Sequence, residues 1–293
     1  MTVLVVGEAL VDVVQRDDRR DVHAGGSPFN VAVGLARLGV DVELAAQIGD
    51  DDHGRLLAAA LEQAGVERST DVLPAAETSR AVATLDDDGA ATYDFAITWD
   101  PASLPDPSRF EAIHVGSLGT FVEPGASSVA DLVLTADALG VPVSFDPNVR
   151  PTVSSDAAAW GAAFARFAPH ARFVKLSDED AAVLHPGVAA SDLAARLASD
   201  GALVAITRGS GGSVLAHRDR VVVVEAPVVD VADTIGAGDS FMAAALAWLA
   251  TYDWPSPDEL DLSELHDLGD YATRAAAITV SRPGADPPHL EEL

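Results

Sequence analysis

The chain has 293 residues, 48% of them hydrophobic, and its 18 Lys+Arg against 46 Asp+Glu leave a formal net charge of −28. That apolar content builds a sizeable core, which excludes a disordered or fibrous chain. So acidic a surface repels phosphate backbones and anionic headgroups, so neither a nucleic acid nor a membrane is expected as a partner. The lack of cysteine removes disulfides, thiol nucleophiles, iron–sulfur clusters and Cys-ligated zinc together.

The opening MTVLVVGEALVDV has no basic start, and Glu8 and Asp12 interrupt its apolar run. It reads as no secretory signal, and a cytoplasmic location is expected. An apolar run at 3–6 is followed by an extended piece at 11–23, then Gly25-Gly26-Ser27-Pro28-Phe29-Asn30, then helical spacing over 30–38. A run at 42–48 precedes helical spacing at 54–63. Residues 78–97 read as two β-type runs around Asp87-Asp88-Gly89, a hairpin signal. Further runs at 112–115, 141–145, 173–176 and 203–207 alternate with helical spacing at 127–139, 157–167 and 191–197. A second hairpin is expected over 213–225 around Arg218-Asp219. The apolar stretch at 241–250 is shorter than the ~20 residues a bilayer needs. The Pro-rich, acidic 283–293 is expected to wrap the surface.

Strands written as continuous apolar runs are buried on both faces, and their alternation with helices predicts a mainly parallel sheet between two helical layers. Residues 12–24 and 78–99 break the rhythm and are expected to form a small β-strand lid inserted in one domain over 1–293. Ligands of such sheets bind beyond the carboxyl ends of the strands. Those ends carry Gly7-Glu8, Gly49-Asp50, Gly116-Ser117, Asp146-Pro147-Asn148, Lys175-Leu176-Ser177 and Thr207-Arg208-Gly209.

Two segments can carry chemistry. Asp233-Thr234-Ile235-Gly236-Ala237-Gly238-Asp239 runs into the apolar helix SFMAAALAWLA. Its glycines therefore sit at a helix start, where unpaired amides and the macrodipole favour an anion. Asp239 in the first turn is either a general base beside that anion or a capping carboxylate. In the second segment, Gly25 and Gly26 let a ligand approach the backbone, and Asn30 either bonds sugar hydroxyls or caps its helix. Lys175 is the only lysine and lies between Val174 and Leu176, so no P-loop is present. The first strand is followed by Gly-Glu-Ala-Leu-Val-Asp rather than a dinucleotide fingerprint, and no Gly-x-Ser-x-Gly or His-Glu-x-x-His occurs.

GGSPFNVAVGLARLG and DTIGAGDSFMAAAL, in this order and separation, resemble the two signatures of the ribokinase (PfkB) family of carbohydrate kinases. DPNVR, KLSDED and TRGSGG fall where that family has corresponding motifs. The resemblance spans essentially the whole chain and implies a ribokinase-like α/β/α fold with a lid. It implies transfer of the γ-phosphoryl group of ATP to a primary hydroxyl of a small sugar. Fructose is ranked first, 2-keto-3-deoxygluconate next, then ribose and nucleosides. By the same resemblance Asp239 is the base and Gly236, Ala237 and Gly238 form the anion hole. Asp12, Gly25, Gly26, Asn30 and Arg150 face the sugar, with Phe95 on the second lid strand either stacking on it or packing the flap. Lys175, Ser177, Thr207, Arg208, Gly209, Gly212 and Ala276 face ATP, and Gly284-Ala285 help wall the adenine. Asp180, or Glu179 beside it, stands where the family contacts Mg²⁺, and Asp233 and Ile235 flank a monovalent (K⁺) site. A homodimer through the lid is implied as well. The rival outside enzymes is a catalytically inactive sugar or nucleotide sensor, which would be expected to lose Asp239 or its glycines; both are present.

Overall fold

The computed structural model describes residues 2–16, 19–85 and 91–293. In chain order the strands are β1 (Thr2–Val6), β2 (Leu10–Arg16), β3 (Arg19–Gly25), β4 (Asp41–Ala45), β5 (Glu67–Arg68), β6 (Ser79–Leu85), β7 (Ala91–Ala96), β8 (Ala112–Gly116), β9 (Val143–Asp146), β10 (Phe173–Ser177), β11 (Leu203–Thr207), β12 (Ser213–His217) and β13 (Arg220–Val224). The α-helices are α1 (Ser27–Arg37), α2 (Asp52–Ala64), α3 (Gly125–Leu139), α4 (Ala157–Phe167), α5 (Asp178–Leu184), α6 (Ala190–Ala198), α7 (Ala237–Thr251) and α8 (Leu262–Val280). Nine strands form the central sheet in the order β13-β12-β11-β10-β9-β8-β1-β4-β5, with parallel pairing except at β11–β12 and β12–β13, which are antiparallel.

Residue alternation explains the layers. Val3 and Val5 of β1 pack into a core with α1, α2, α7 and α8. Leu4 and Val6 point the other way, into a core with α3, α4, α5 and α6. Strand β1 is thus apolar on both faces, as its continuous run requires. Helix α7 is buried almost throughout, and its alanines admit close neighbours: a Cβ at Gly34 of α1 would lie 2.7 Å from that of Ala243. Local signals set the ends. Asp51 caps α2 through the Gly54 amide at 2.7 Å, and Gly65 closes that helix in the left-handed conformation.

The expected lid is a separate four-stranded sheet, β3-β2-β6-β7, in which β2 and β6 run parallel between two hairpins. The expected turn at Asp87-Asp88-Gly89 lies outside the described residues. The second hairpin forms as expected, with Arg218 and Asp219 between β12 and β13. The C-terminal segment folds back on α1, where Asp286 pairs with Arg37. Helix α8 was not anticipated. Its start is a capping box between Asp261 and Glu264, and Leu265, Leu268, Ala272 and Ala275 face the core at helical spacing. Among the described residues, no helix is long and apolar enough to cross a membrane.

Candidate active site

A cleft of about 790 Å³ lies beyond the carboxyl ends of the parallel strands, under the lid. At its centre α7 begins. Gly236 adopts a left-handed φ of 76°, and a Cβ there would lie 2.6 Å from the Ala285 Cβ. Glycine is therefore required twice, for the turn and for the contact. Among the described residues, the amides of Gly236, Gly238 and Asp239 meet no acceptor, and that of Ala237 reaches Thr234 O only at 3.4 Å. These donors open onto the cleft and suit an anion.

Asp239 is 7% exposed and lies on the cleft wall. Its Oδ1 accepts from Ser27 Oγ at 2.6 Å and its Oδ2 from Asn30 Nδ2 at 2.8 Å. Both donors sit in the first turn of α1, so the two signature segments meet at this carboxylate across 209 and 212 residues of chain. Asn30 is thus bonded to the acid, leaving its amide oxygen for a ligand. Each Asp239 oxygen keeps a lone pair for a further donor.

On the lid side of the acid the cleft is lined by Asp12, Gly26, Asn30, Phe95 and Arg150. Gly25 lies behind this wall; a Cβ on it would fall 2.3 Å from Asp12 Oδ2, so its place is to give Asp12 room rather than to touch a ligand. Desolvation raises the Asp12 carboxyl above its ordinary range, with Arg150 and His23 opposing. Among the described residues the Arg150 guanidinium reaches only Val149 O, at 3.5 Å, and stays open to the cleft.

Three further residues on this side received no role in the sequence reading. Glu8 is 4% exposed, accepts the Gly119 amide at 2.9 Å and lines the cleft. Burial pushes its carboxyl up to about 7, against the lowering effects of Ser117, Gly119 and Arg150. Ser117 and Asn148 flank it and join through Asn148 Nδ2 to Ser117 Oγ at 3.5 Å. Both hold positive φ, 51° and 41°, an uncommon conformation for residues with a side chain. Their positions after β8 and β9 were visible in the sequence; their backbone conformation was not.

On the far side, Lys175, Ser177, Thr207, Gly209, Gly212, Ile235 and Ala276 reach the cleft. Val228, Val231 and Val280 join Ala276 there and make that end apolar. Val228 and Val231 are 103% and 65% exposed, large apolar side chains left open to a ligand.

Besides Gly25, five residues expected at the site lie off the cleft wall: Arg208, Asp180, Asp233 and the pair Gly284-Ala285. Arg208 folds onto its own turn, donating to Gly211 O, and is not on the cleft wall. Asp180 forms a capping box with Ser177, and its oxygens accept the Ser177 amide at 2.8 Å and the Val149 amide at 2.7 Å. Those two bonds make it an anchor of the loop bearing Arg150, and it does not reach the cleft wall. Asp233 likewise accepts the amides of Ile235 and Gly284, at 3.0 and 2.9 Å, which ties the loop before α7 to the C-terminal segment, and it does not reach the cleft wall. Asp178 and Glu179, in contrast, line the cleft. Among the described residues no group of three or more His, Cys, Asp or Glu is placed to hold a metal.

The profile of pfkB family carbohydrate kinases matches residues 2–292. A fructokinase of Salmonella typhimurium is 33% identical over 298 residues, covering 97% of this chain and 94% of that protein. A fructokinase of Escherichia coli is 30% identical, covering 97% and 94%. Among solved structures, a double mutant of Vibrio cholerae O395 fructokinase with fructose, ADP and potassium bound superposes with a TM-score of 0.80 at 26% identity, covering 97% of this chain and 93% of the other. Aminoimidazole riboside kinase of Salmonella enterica, complexed with aminoimidazole riboside and an ATP analogue, gives 0.79 at 26%, covering 97% and 95%. The likeness runs the length of the chain and takes in both segments that meet at Asp239, so the chain belongs to the pfkB family of carbohydrate kinases and is an ATP-dependent sugar kinase.

Proposed function

We propose that this kinase phosphorylates free fructose on a primary hydroxyl. The observation that carries the reaction is Asp239, buried on the cleft wall, oriented by Ser27 and Asn30, and in the same helix start as three unpaired amides, its own among them. The acid accepts the hydroxyl proton as the sugar oxygen bonds to the γ-phosphorus. The bond from that phosphorus to the β,γ-bridging oxygen breaks, and ADP leaves with the electron pair. The Gly236, Gly238 and Asp239 amides stabilise charge on the transferred oxygens, and the lid excludes water.

The charge of the lid end supports a neutral acceptor. Glu8 and Asp12 both lie within electrostatic range of Arg150, so two carboxyls share one guanidinium. Asp12 and Glu8 already draw on that guanidinium, so a carboxylate or phosphate on the sugar would find no surplus cation there. This disfavours 2-keto-3-deoxygluconate and sugar phosphates and favours a polyhydroxy compound, in line with relatives named fructokinases.

Mg²⁺ is held largely by the triphosphate and its own waters, so one or two carboxylates suffice. Asp178 and Glu179 on the cleft wall fit that demand. When bound, the ion offsets the charge of the phosphates. Two copies joined through the lid are also proposed, since β3 and β7 are edge strands of the small sheet. Sedimentation of the purified chain tests this, and a monomer at assay concentration refutes it.

The activity is tested by ATP consumption against fructose, 2-keto-3-deoxygluconate, ribose, adenosine, tagatose 6-phosphate and fructose 6-phosphate. Fructose is expected to give the highest kcat/KM. Turnover confined to the phosphorylated sugars or to 2-keto-3-deoxygluconate would overturn the neutral-sugar reading.

A further inference from the structure

The only lysine of the chain lies under the start of α7. Lys175 projects from β10, is 2% exposed, and donates from Nζ to Asp146 Oδ2 at 2.9 Å. Asp146, at the end of β9, is 1% exposed. A Cβ built on Gly238 would fall 2.9 Å from that Nζ, so the ammonium rests against the Gly238 backbone. The residue also reaches the cleft wall.

Its surroundings are lopsided in charge. Asp146, Asp180 and Asp239 all act on the ammonium; burial alone would lower its pKa, and these carboxylates reverse the sign and raise it. His114, whose ring bonds Ser144 at 3.0 Å, is kept neutral by burial and by Lys175. Among the described residues, Lys175 and Arg150 are the only basic side chains on the cleft wall, and Arg150 belongs to the lid end. Phosphoryl transfer piles negative charge onto the amides of Gly236, Gly238 and Asp239. Without a fixed cation behind them, the nearby aspartates would oppose it.

We propose that Lys175 is a positioning residue for phosphoryl transfer, its ammonium pinned by Asp146 against Gly238 as the permanent cation behind the anion-binding amides. The proposal rests on the kinase reading and assigns this buried pair to the reaction rather than to the core alone. It also gives Gly238 a reason of its own: any side chain there would collide with the ammonium.

Replacing Lys175 alone would leave Asp146 buried and unpaired, which is strongly destabilising for any protein. The test therefore compares two variants that both lack the ion pair: Asp146→Asn, whose amide oxygen can still accept from Nζ while Asp180 and Asp239 still favour the ammonium, and Lys175→Met/Asp146→Asn, which removes it. Their melting temperatures show the folded state, and kcat and both KM values are measured on fructose with ATP. The double variant is expected to have a kcat lower by about 100-fold or more than Asp146→Asn, the scale of losing one oxyanion donor. The sugar KM is expected to differ by less than about 3-fold, since the ammonium acts on the transferred group. Equal kcat in the two variants overturns the proposal and leaves the pair a scaffold contact. If the double variant melts below the assay temperature, Lys175→Gln/Asp146→Asn, whose two amides can pair with each other, takes its place; failure of that variant to fold also overturns the proposal. The wild type in the same assay separates the two ideas. No turnover on any sugar of the panel defeats the kinase reading, whereas normal wild-type turnover with indistinguishable variants defeats only the role of Lys175.

Discussion

Replacing Asp239 by Asn tests the centre of the mechanism with little change of shape. In the native chain the two carboxylate oxygens accept Ser27 Oγ and Asn30 Nδ2. An amide at 239 keeps one acceptor and turns the other position into a donor. The Ser27 hydroxyl can rotate to accept from it, or the Asn30 amide can turn to present its oxygen. The structural loss is then about one charge-assisted hydrogen bond, roughly 1–2 kcal/mol. Part of it is offset, because Asp239 repels Asp146. A melting shift of only a few degrees follows, about 2–4 °C per kcal/mol for a chain of this size or smaller. The catalytic loss is far larger. A positioned general base contributes about 10²–10⁴ in rate, or about 3–5 kcal/mol of barrier, and an amide takes no proton. Coupled ADP release at saturating fructose and ATP measures kcat, and calorimetry measures fructose binding without nucleotide. The expected result is a 10²- to 10⁴-fold lower kcat with fructose affinity within about 5-fold. A variant that folds, binds fructose and keeps kcat within about tenfold of the wild type would refute the assignment of the base.

Glu8 gives stability a pH dependence with a definite sign. Its folded pKa of about 7 lies above the ordinary 4.5, so the native state holds a proton that the unfolded chain has released. Stability from this group is complete below about pH 4.5 and falls as pH rises to about 7, by about 3 kcal/mol in all. Glu8→Gln should remove that slope; urea titrations at pH 5 and 8 showing the same difference between variant and wild type at both would rule out a raised Glu8. Gly236→Ala must bear both a left-handed φ and a Cβ 2.6 Å from that of Ala285. A loss of about 1–3 kcal/mol in stability with a raised KM for ATP is expected, and an unchanged ATP KM would count against the amides as the phosphate site. Ala276→Leu extends a side chain into the apolar far end of the cleft. It should raise the ATP KM by about tenfold or more while leaving the fructose KM in place; the reverse pattern would exchange the two ends of the cleft.

Much of the scaffold was legible because it follows from period alone. The runs at 3–6, 42–48, 112–115, 141–145, 173–176 and 203–207 all became strands of the central sheet. Each is mainly apolar where two helical layers cover it, with buried exceptions such as His114, Ser144 and Lys175. The lid was legible from its departure from that pattern. Helix α8 carried an equally readable signal in Asp261-x-x-Glu264 and its leucines, yet its many charges masked the core-facing stripe. At the site, glycine-rich helix starts could be read locally, and Asp239 with its glycines stands on the cleft as expected. The errors share one cause. Ser177-x-x-Asp180 is itself a capping-box pattern, and a carboxylate that serves backbone amides has the same one-letter code as one that serves a metal. Glu8 and the Lys175–Asp146 pair depend on neighbours 29 to 111 residues away, a proximity that no local spacing encodes.

A chain of net charge −28 that binds a polyphosphate must solve an electrostatic conflict, and the structure shows where it does so. Among the described residues, several arginines pair with carboxylates off the cleft wall, as in Arg55–Asp52, Arg109–Asp71, Arg166–Glu123 and Arg218–Asp258. Such pairs contribute about 0–1 kcal/mol each and add nothing to phosphate binding. On the mechanism proposed above the attraction comes instead from main-chain amides at the start of α7, which carry partial positive charge whatever the surface composition. Surface repulsion fades over a Debye length of about 8–10 Å at ordinary ionic strength, whereas hydrogen bonds from these amides act at contact. A fold that recognises phosphate through backbone geometry can therefore accumulate acidic residues over its whole exterior without losing its substrate. The residues this mechanism does not let it exchange are the few that shape the turn: Gly236, whose φ no side chain would accept without strain, Gly238, which rests on Lys175, and Asp239, which lines the cleft as the proposed base.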